Sequence, residues 1–245
     1  MGEKTGNEKA GPGTAGGSVV ARTLADYAYQ RIRADIVSGT LSAGAKLRLE
    51  ALSQQYEVGM SPLREALARL AGDALVVVEG QRGFWVAPLS LADFEDLSRV
   101  RGLIETEALQ LSVERGGPDW EHELTRAFEE LSRIDERLNR EGGHLAPLWE
   151  DANRRFHEAL VAACDSPWLK RMRALLYQQS ERYRRISLST KPAGRCVHEE
   201  HHAIYEAALR RQTLRACRLT EEHLQRTTDA VRAALRAAEA ARDQR

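Results

Sequence analysis

The chain has 245 residues, enough for one large domain or two ordinary ones with a sizeable core. Its 36 basic and 36 acidic residues cancel, so bulk charge directs it to no polyanion and any nucleic-acid site must be local. An apolar run of about eighteen residues is lacking, as is a signal-peptide core, which argues against a membrane partner and gives the expectation of a soluble, cytoplasmic, mainly helical protein.

Residues 1–20 are polar and glycine-rich without hydrophobic periodicity and are expected to form a disordered tail. A first helix follows from Leu24, with Leu24, Ala28, Ile32 and Ile36 on one stripe and Gly39 as its stop. "SGTLSAGAKL" reads as a loop, and a short helix over about Leu49 to Tyr56 leads through Val58 and Gly59 into "MSPLREALARL". Ser61 is placed to cap that next helix and Pro62 to take its first position, where a missing N–H costs nothing.

Two short helices joined by a tight glycine-containing turn give the helix-turn-helix signal. Leu75 to Val78 and Phe84 to Ala87, flanking "EGQRG", read as a β-hairpin, so residues 21–88 are expected to fold as a winged helix-turn-helix. Arg64, in the first turn of the second helix of the motif, then reaches base edges in a major groove, the alternative being an ion pair with Glu65 or Asp73. Gln81, Arg82 and Gly83 at the wing tip, and Arg48 before the preceding helix, complete the expected interface with a double-stranded operator. The region carries eight basic and seven acidic residues, little for a DNA reader, and a homodimer doubles its contacts.

"GMSPLREALARLAGDALV" followed by "GQRGFWVAP" resembles the DNA-binding half of GntR-type bacterial transcription regulators, in which a [ST]-P-[VL]-R-E-A-L stretch opens the recognition helix. The resemblance implies that Gly59, Ser61, Pro62 and Arg64 sit at the DNA. Met60 and Glu50 stand where such regulators often carry further arginines, so the operator sequence does not carry over.

From about residue 89 to 241 the sequence is a series of amphipathic helices, expected over 90–115, 119–140, 145–164, 166–189, 195–211 and 213–241, forming an antiparallel bundle. Cys164, Cys196 and Cys217 lie far apart outside any CxxC pattern and are expected as buried thiols. Asn153 and His157 share a stripe with Trp149, Phe156 and Leu160; His201 lines up with Val197, Ile204 and Ala208, and His223 with Ala216, Leu219 and Ala230. Three inward histidines on three helices suggest one shared site, although each alone could be a hydrogen-bonded core residue. Arg101, in the apolar stripe of Leu97, Ile104, Ala108 and Leu111, needs a partner: Glu105 one turn on, or the carboxylate of a small organic acid. Tyr183 is a further candidate for lining that pocket.

"NRRFHEAL", "EEHHAI" and "EEHL" resemble the D-x-x-x-H, H, H pattern of the FadR-type effector domain known as FCD. The resemblance implies that Asn153, His157, His201 and His223 surround a divalent metal, with Arg101 and Asn153 near a small carboxylate effector. Asn153 replaces the usual aspartate, which favours Zn or Ni over Mg or Ca. "RGFWVAPLSLADFEDLSRVRGLIETEAL" is similar to the carbon-starvation-induced, glutarate-responsive branch, which implies a repressor of a neighbouring catabolic operon and a dicarboxylate such as glutarate. Two other classes remain open. One is a metal-dependent enzyme fused to a DNA-binding domain, although HExxH is absent; the other is a DNA-binding protein whose bundle only dimerises.

Overall fold

A computed structural model describes residues 23–141, 143–188 and 195–243; the expected N-terminal tail lies outside them. The first core is built on α1 (Leu24–Ser38), α2 (Leu49–Tyr56) and α3 (Met60–Gly72). Thr23 caps α1 by accepting from the Asp26 N–H at 3.0 Å, and Gly39, at φ 82°, ends it in the left-handed region that a glycine enters without cost. Ile32, Leu63, Ala66, Leu67 and Leu70 are fully buried where α1 and α3 face each other. Glu57, at φ 55°, makes the tight turn between α2 and α3.

Three antiparallel strands, β1 (Lys46–Leu47), β2 (Val76–Val78) and β3 (Phe84–Val86), pack beside these helices in the order β1-β3-β2. The wing is therefore the expected hairpin, with Val78 opposite Phe84 and a 3₁₀ turn over Gly80–Arg82. Gly83, at φ 115°, closes the turn in a conformation that L side chains rarely adopt. Two expectations are corrected. Part of the "loop" before α2 pairs as β1, a two-residue strand too short to leave a period in the sequence. And α3 starts two residues early: Gly59 is its N-cap, without a side-chain hydrogen bond, so Ser61 and Pro62 lie inside the first turn, where the proline still forfeits no bond.

The second core is an all-helical bundle of α4 (Leu91–Arg115), α5 (Pro118–Glu141), α6 (Ala146–Leu160), α7 (Pro167–Leu188), α8 (Val197–Leu209) and α9 (Thr213–Asp243). Leu109, Leu124, Leu131, Phe156 and Ile204 fill its centre. Trp120 ties α5 to the end of α6 by donating to the Ala159 carbonyl at 2.9 Å. Among the cysteines only Cys164 is buried; Cys196, just before α8, is exposed, and Cys217 is half-buried against the core, with its thiol on the Thr106 carbonyl of α4. No helix among the described residues is long and apolar enough to cross a membrane.

The α7 helix joins the two cores. From it Gln179 donates to the Asp73 carbonyl after α3, Arg182 donates to the Ala87 carbonyl after β3 at 2.6 Å, and Glu181 pairs with Arg33 of α1 at 3.1 Å.

Candidate DNA interface and metal centre

The solvent face of α3 carries Arg64, which is exposed and makes no hydrogen bond or ion pair among the described residues. The sequence alternatives for it are absent: Asp73 accepts from the Tyr29 hydroxyl at 2.6 Å, and Glu65 forms no described ion pair. Arg48 and Arg82 are likewise exposed and unpaired among the described residues, while the side chain of Gln81 falls outside them. Lys46 lies over the Trp85 ring at 5.0 Å. Exposed, unpaired cations thus stand at the start of α2, near the start of α3 and on the wing, the elements through which a winged helix-turn-helix meets DNA.

In the bundle, α6, α8 and α9 bring His157, His201 and His223 together. One ring nitrogen from each lies within 4.8 Å of the other two, and all three residues are buried. Burial pushes His157 and His201 well below the ordinary histidine range, with the neighbouring histidines adding to the effect, so both rings are neutral and ready to ligate. His223 donates through Nδ1 to Glu200 Oε2 at 2.8 Å, which leaves Nε2 as its free nitrogen. Glu200 is itself held by Arg195 at 2.8 Å. A carboxylate that fixes the tautomer of a histidine is the usual support behind a metal ligand.

Two features test whether a cation fits. His201 is fully buried with neither ring nitrogen hydrogen-bonded, and Asn153 Oδ1 is buried without a partner while its Nδ2 donates to the Tyr177 hydroxyl at 3.1 Å. Unpaired buried acceptors cost about 1–3 kcal/mol each, and a divalent cation among them removes that penalty. The residues present therefore fit such an ion. Asp151 lies off the stripe in ion pairs with Arg154 and Arg155, and Glu158 pairs with Arg154, so neither carboxylate joins the cluster.

Beside the histidines lies a buried ionic network that the sequence reading found only in part. Arg101 does pair with Glu105, at 3.2 Å, and also donates to Ser180 Oγ at 3.1 Å. Glu105 is shared with Arg173, at 2.6 Å, and Arg184 pairs with Glu150 at 3.0 Å. The three guanidiniums surround the Tyr177 ring, at 4.8, 5.5 and 4.4 Å from its centroid. Burial raises the Tyr177 hydroxyl to about 12, so it is neutral. Arg173 keeps one buried nitrogen, Nη2, without a partner.

Tyr183 is placed elsewhere than expected. It stacks on Phe94 at 4.5 Å and donates to Asp93 Oδ2 at 2.8 Å, where the bundle meets the winged half; Tyr177, earlier on α7 and on another strip of its surface, is the tyrosine beside the histidines. Arg173, Tyr177, Ser180 and Arg184 recur at helical spacing on one stripe of α7, which by its polar composition alone reads as a solvated face.

A winged helix-turn-helix carried on a helical bundle with a polar, cation-ready heart defines a DNA-binding regulator with an effector domain. The comparisons agree. The profile "Bacterial regulatory proteins, gntR family" matches residues 24–86, and the FCD domain profile matches residues 96–226. The HTH-type transcriptional regulator BphR of Paraburkholderia xenovorans is 44% identical over 86% of this chain and 86% of its own length. The HTH-type transcriptional repressor GlaR of Escherichia coli is 32% identical over 80% of this chain and 90% of its own. The structure of E. coli McbR/YncC superposes with a TM-score of 0.71 at 22% identity, covering 86% of this chain and 98% of that one. The chain belongs to the GntR-family transcription regulators with an FCD domain, and is a DNA-binding regulator.

Proposed function

We propose that the protein is a homodimeric repressor, acting in the cytoplasm, whose DNA affinity is set by a small carboxylate bound beside a divalent metal. The observation that carries the reading is the composition of the buried cluster. It sets two buried guanidiniums, Arg101 and Arg173, against the one carboxylate they share, Glu105, next to three neutral histidines and the unpartnered Asn153 oxygen. A buried charge without a counter-ion is costly, and an incoming carboxylate supplies it. Three histidine nitrogens and an amide oxygen suit Zn or Ni better than Mg or Ca. Asn153, His157, His201 and His223 would hold the ion, which supplies a Lewis-acidic position for a carboxylate oxygen; Arg101 would hold the far side of the effector.

A dicarboxylate such as glutarate is the first effector to try, since one end can face the cation and the other a guanidinium. In the winged half, Arg64 reads base edges, Arg48 and the wing residues Gln81, Arg82 and Gly83 contact the backbone or minor groove, and Gly59, Ser61 and Pro62 set the approach of α3. Two copies give a near-palindromic site. Footprinting the region upstream of the gene, with and without glutarate, tests this. The expected result is a symmetric footprint that glutarate weakens; an asymmetric footprint indifferent to small carboxylates contradicts it.

A further inference from the structure

The histidine cluster is closed off by Tyr177, and what lies on the other side of that tyrosine is a cleft between the two halves of the molecule. It measures about 540 Å³ and runs between α1 on one wall and α6 with α7 on the other. Its lining includes Ala34 of α1, Glu150 of α6, and Arg173, Tyr177 and Glu181 of α7. Arg173 and Tyr177 are 4% and 3% exposed, so both belong to the buried network and to the border of the cleft at once. Across it the Arg33–Glu181 ion pair ties the DNA-binding half to the bundle.

We infer that the effector enters through this interdomain cleft and that Arg173, beside Tyr177, joins Arg101 in holding the carboxylate that faces away from the metal. This rests on the proposed carboxylate sensing but adds the route and the receiving group. Arg101 already spends its Nε on Glu105 and Nη1 on Ser180, whereas Arg173 is held to Glu105 through Nε and keeps the buried Nη2 without a partner. A guanidinium fixed on one edge and open on another is arranged to take a carboxylate without first breaking a bond. Arg33 and Glu181 both line the cleft, so an acid between α1 and α7 competes for the Arg33 guanidinium and thereby weakens a contact between the halves, which gives it differential affinity for two domain arrangements.

The test uses the full-length, zinc-loaded protein with glutarate as the probe, its binding followed by stopped-flow fluorescence and calorimetry. Ala34 is exposed on the cleft wall, so Ala34→Phe narrows the route without touching the cluster and should slow association at least tenfold. Glu181→Gln loosens the tie across the cleft and should speed it severalfold. Both variants should retain the metal content of the parent. Arg173→Met should weaken equilibrium binding roughly 10- to 100-fold and erase the preference for glutarate over its monoamide, with Arg173→Lys restoring part of both. Unchanged association in both cleft variants overturns the route, and an unchanged affinity and preference in Arg173→Met overturns the receiving group, with carboxylate sensing left standing. Failure of the parent protein to bind glutarate, succinate or acetate overturns this inference together with the reading beneath it.

Discussion

Replacing Arg64 by alanine isolates the DNA contact from everything else in the molecule. The side chain is exposed at the start of the second turn of α3 and has no partner among the described residues, so its loss should leave folding unchanged within about 0.5 kcal/mol. Neighbouring Leu63, Ala66 and Leu67, which anchor α3 to α1, are untouched. At the DNA the account assigns Arg64 a bidentate contact to guanine, valued at about 1–3 kcal/mol per half-site. With two half-sites the loss is about 2–6 kcal/mol, roughly 30-fold to 10⁴-fold in specific affinity. Fluorescence anisotropy with the upstream fragment and with unrelated DNA, at fixed salt, reads it. Specific binding should fall towards the unrelated level while the melting temperature stays put. Unchanged specific affinity, or an equal fall on both DNAs, would refute the assignment of α3 as the reading helix.

The bundle gives three further predictions. His201→Leu removes two unpaired buried nitrogens, so in excess chelator it should melt higher than the parent by a few degrees, whereas in zinc it should melt lower because the site is gone; thermal denaturation under the two conditions shows whether the sign reverses. Asn153→Asp turns the bond to Tyr177 round, the hydroxyl now donating, and adds a charge to the donor set; zinc competition against a chelator should show at least tenfold tighter binding. Arg182→Met cuts the α7 tether to the Ala87 carbonyl; DNA affinity without effector should persist while its change on adding glutarate shrinks, and an unaltered response in anisotropy titrations contradicts a role for that tether.

The winged half was legible because its signals are local. The Ser-Pro pair, the apolar stripe of α3 and the glycine-bounded hairpin each state their structure within a dozen residues. What escaped was β1, whose two residues acquire strand geometry only from pairing with β3. The histidines were legible too, each lying on an apolar stripe where a polar side chain stands out. Arg173, Tyr177, Ser180 and Arg184 were not, since a stripe of that composition reads as a solvated face; only Glu105 of α4 and Glu150 of α6, brought from other helices, make it an interior. Glu200 escaped for the same reason: its role depends on His223, which packing across α8 and α9 supplies. Tyr183 was misplaced by one strip of helix surface, enough to move it from the effector side of α7 to the side that meets the wing.

The central claim is that a cation at Asn153, His157, His201 and His223 and a carboxylate beside it together control DNA binding. A glutarate titration of the complex with the upstream fragment, run on protein as purified, after stripping with chelator, and after reloading with zinc, addresses both partners at once. The account predicts release of DNA by glutarate in the loaded samples, its loss on stripping and its return on reloading. Superimposable curves in all three states, with metal content shown by elemental analysis to have changed, would contradict it.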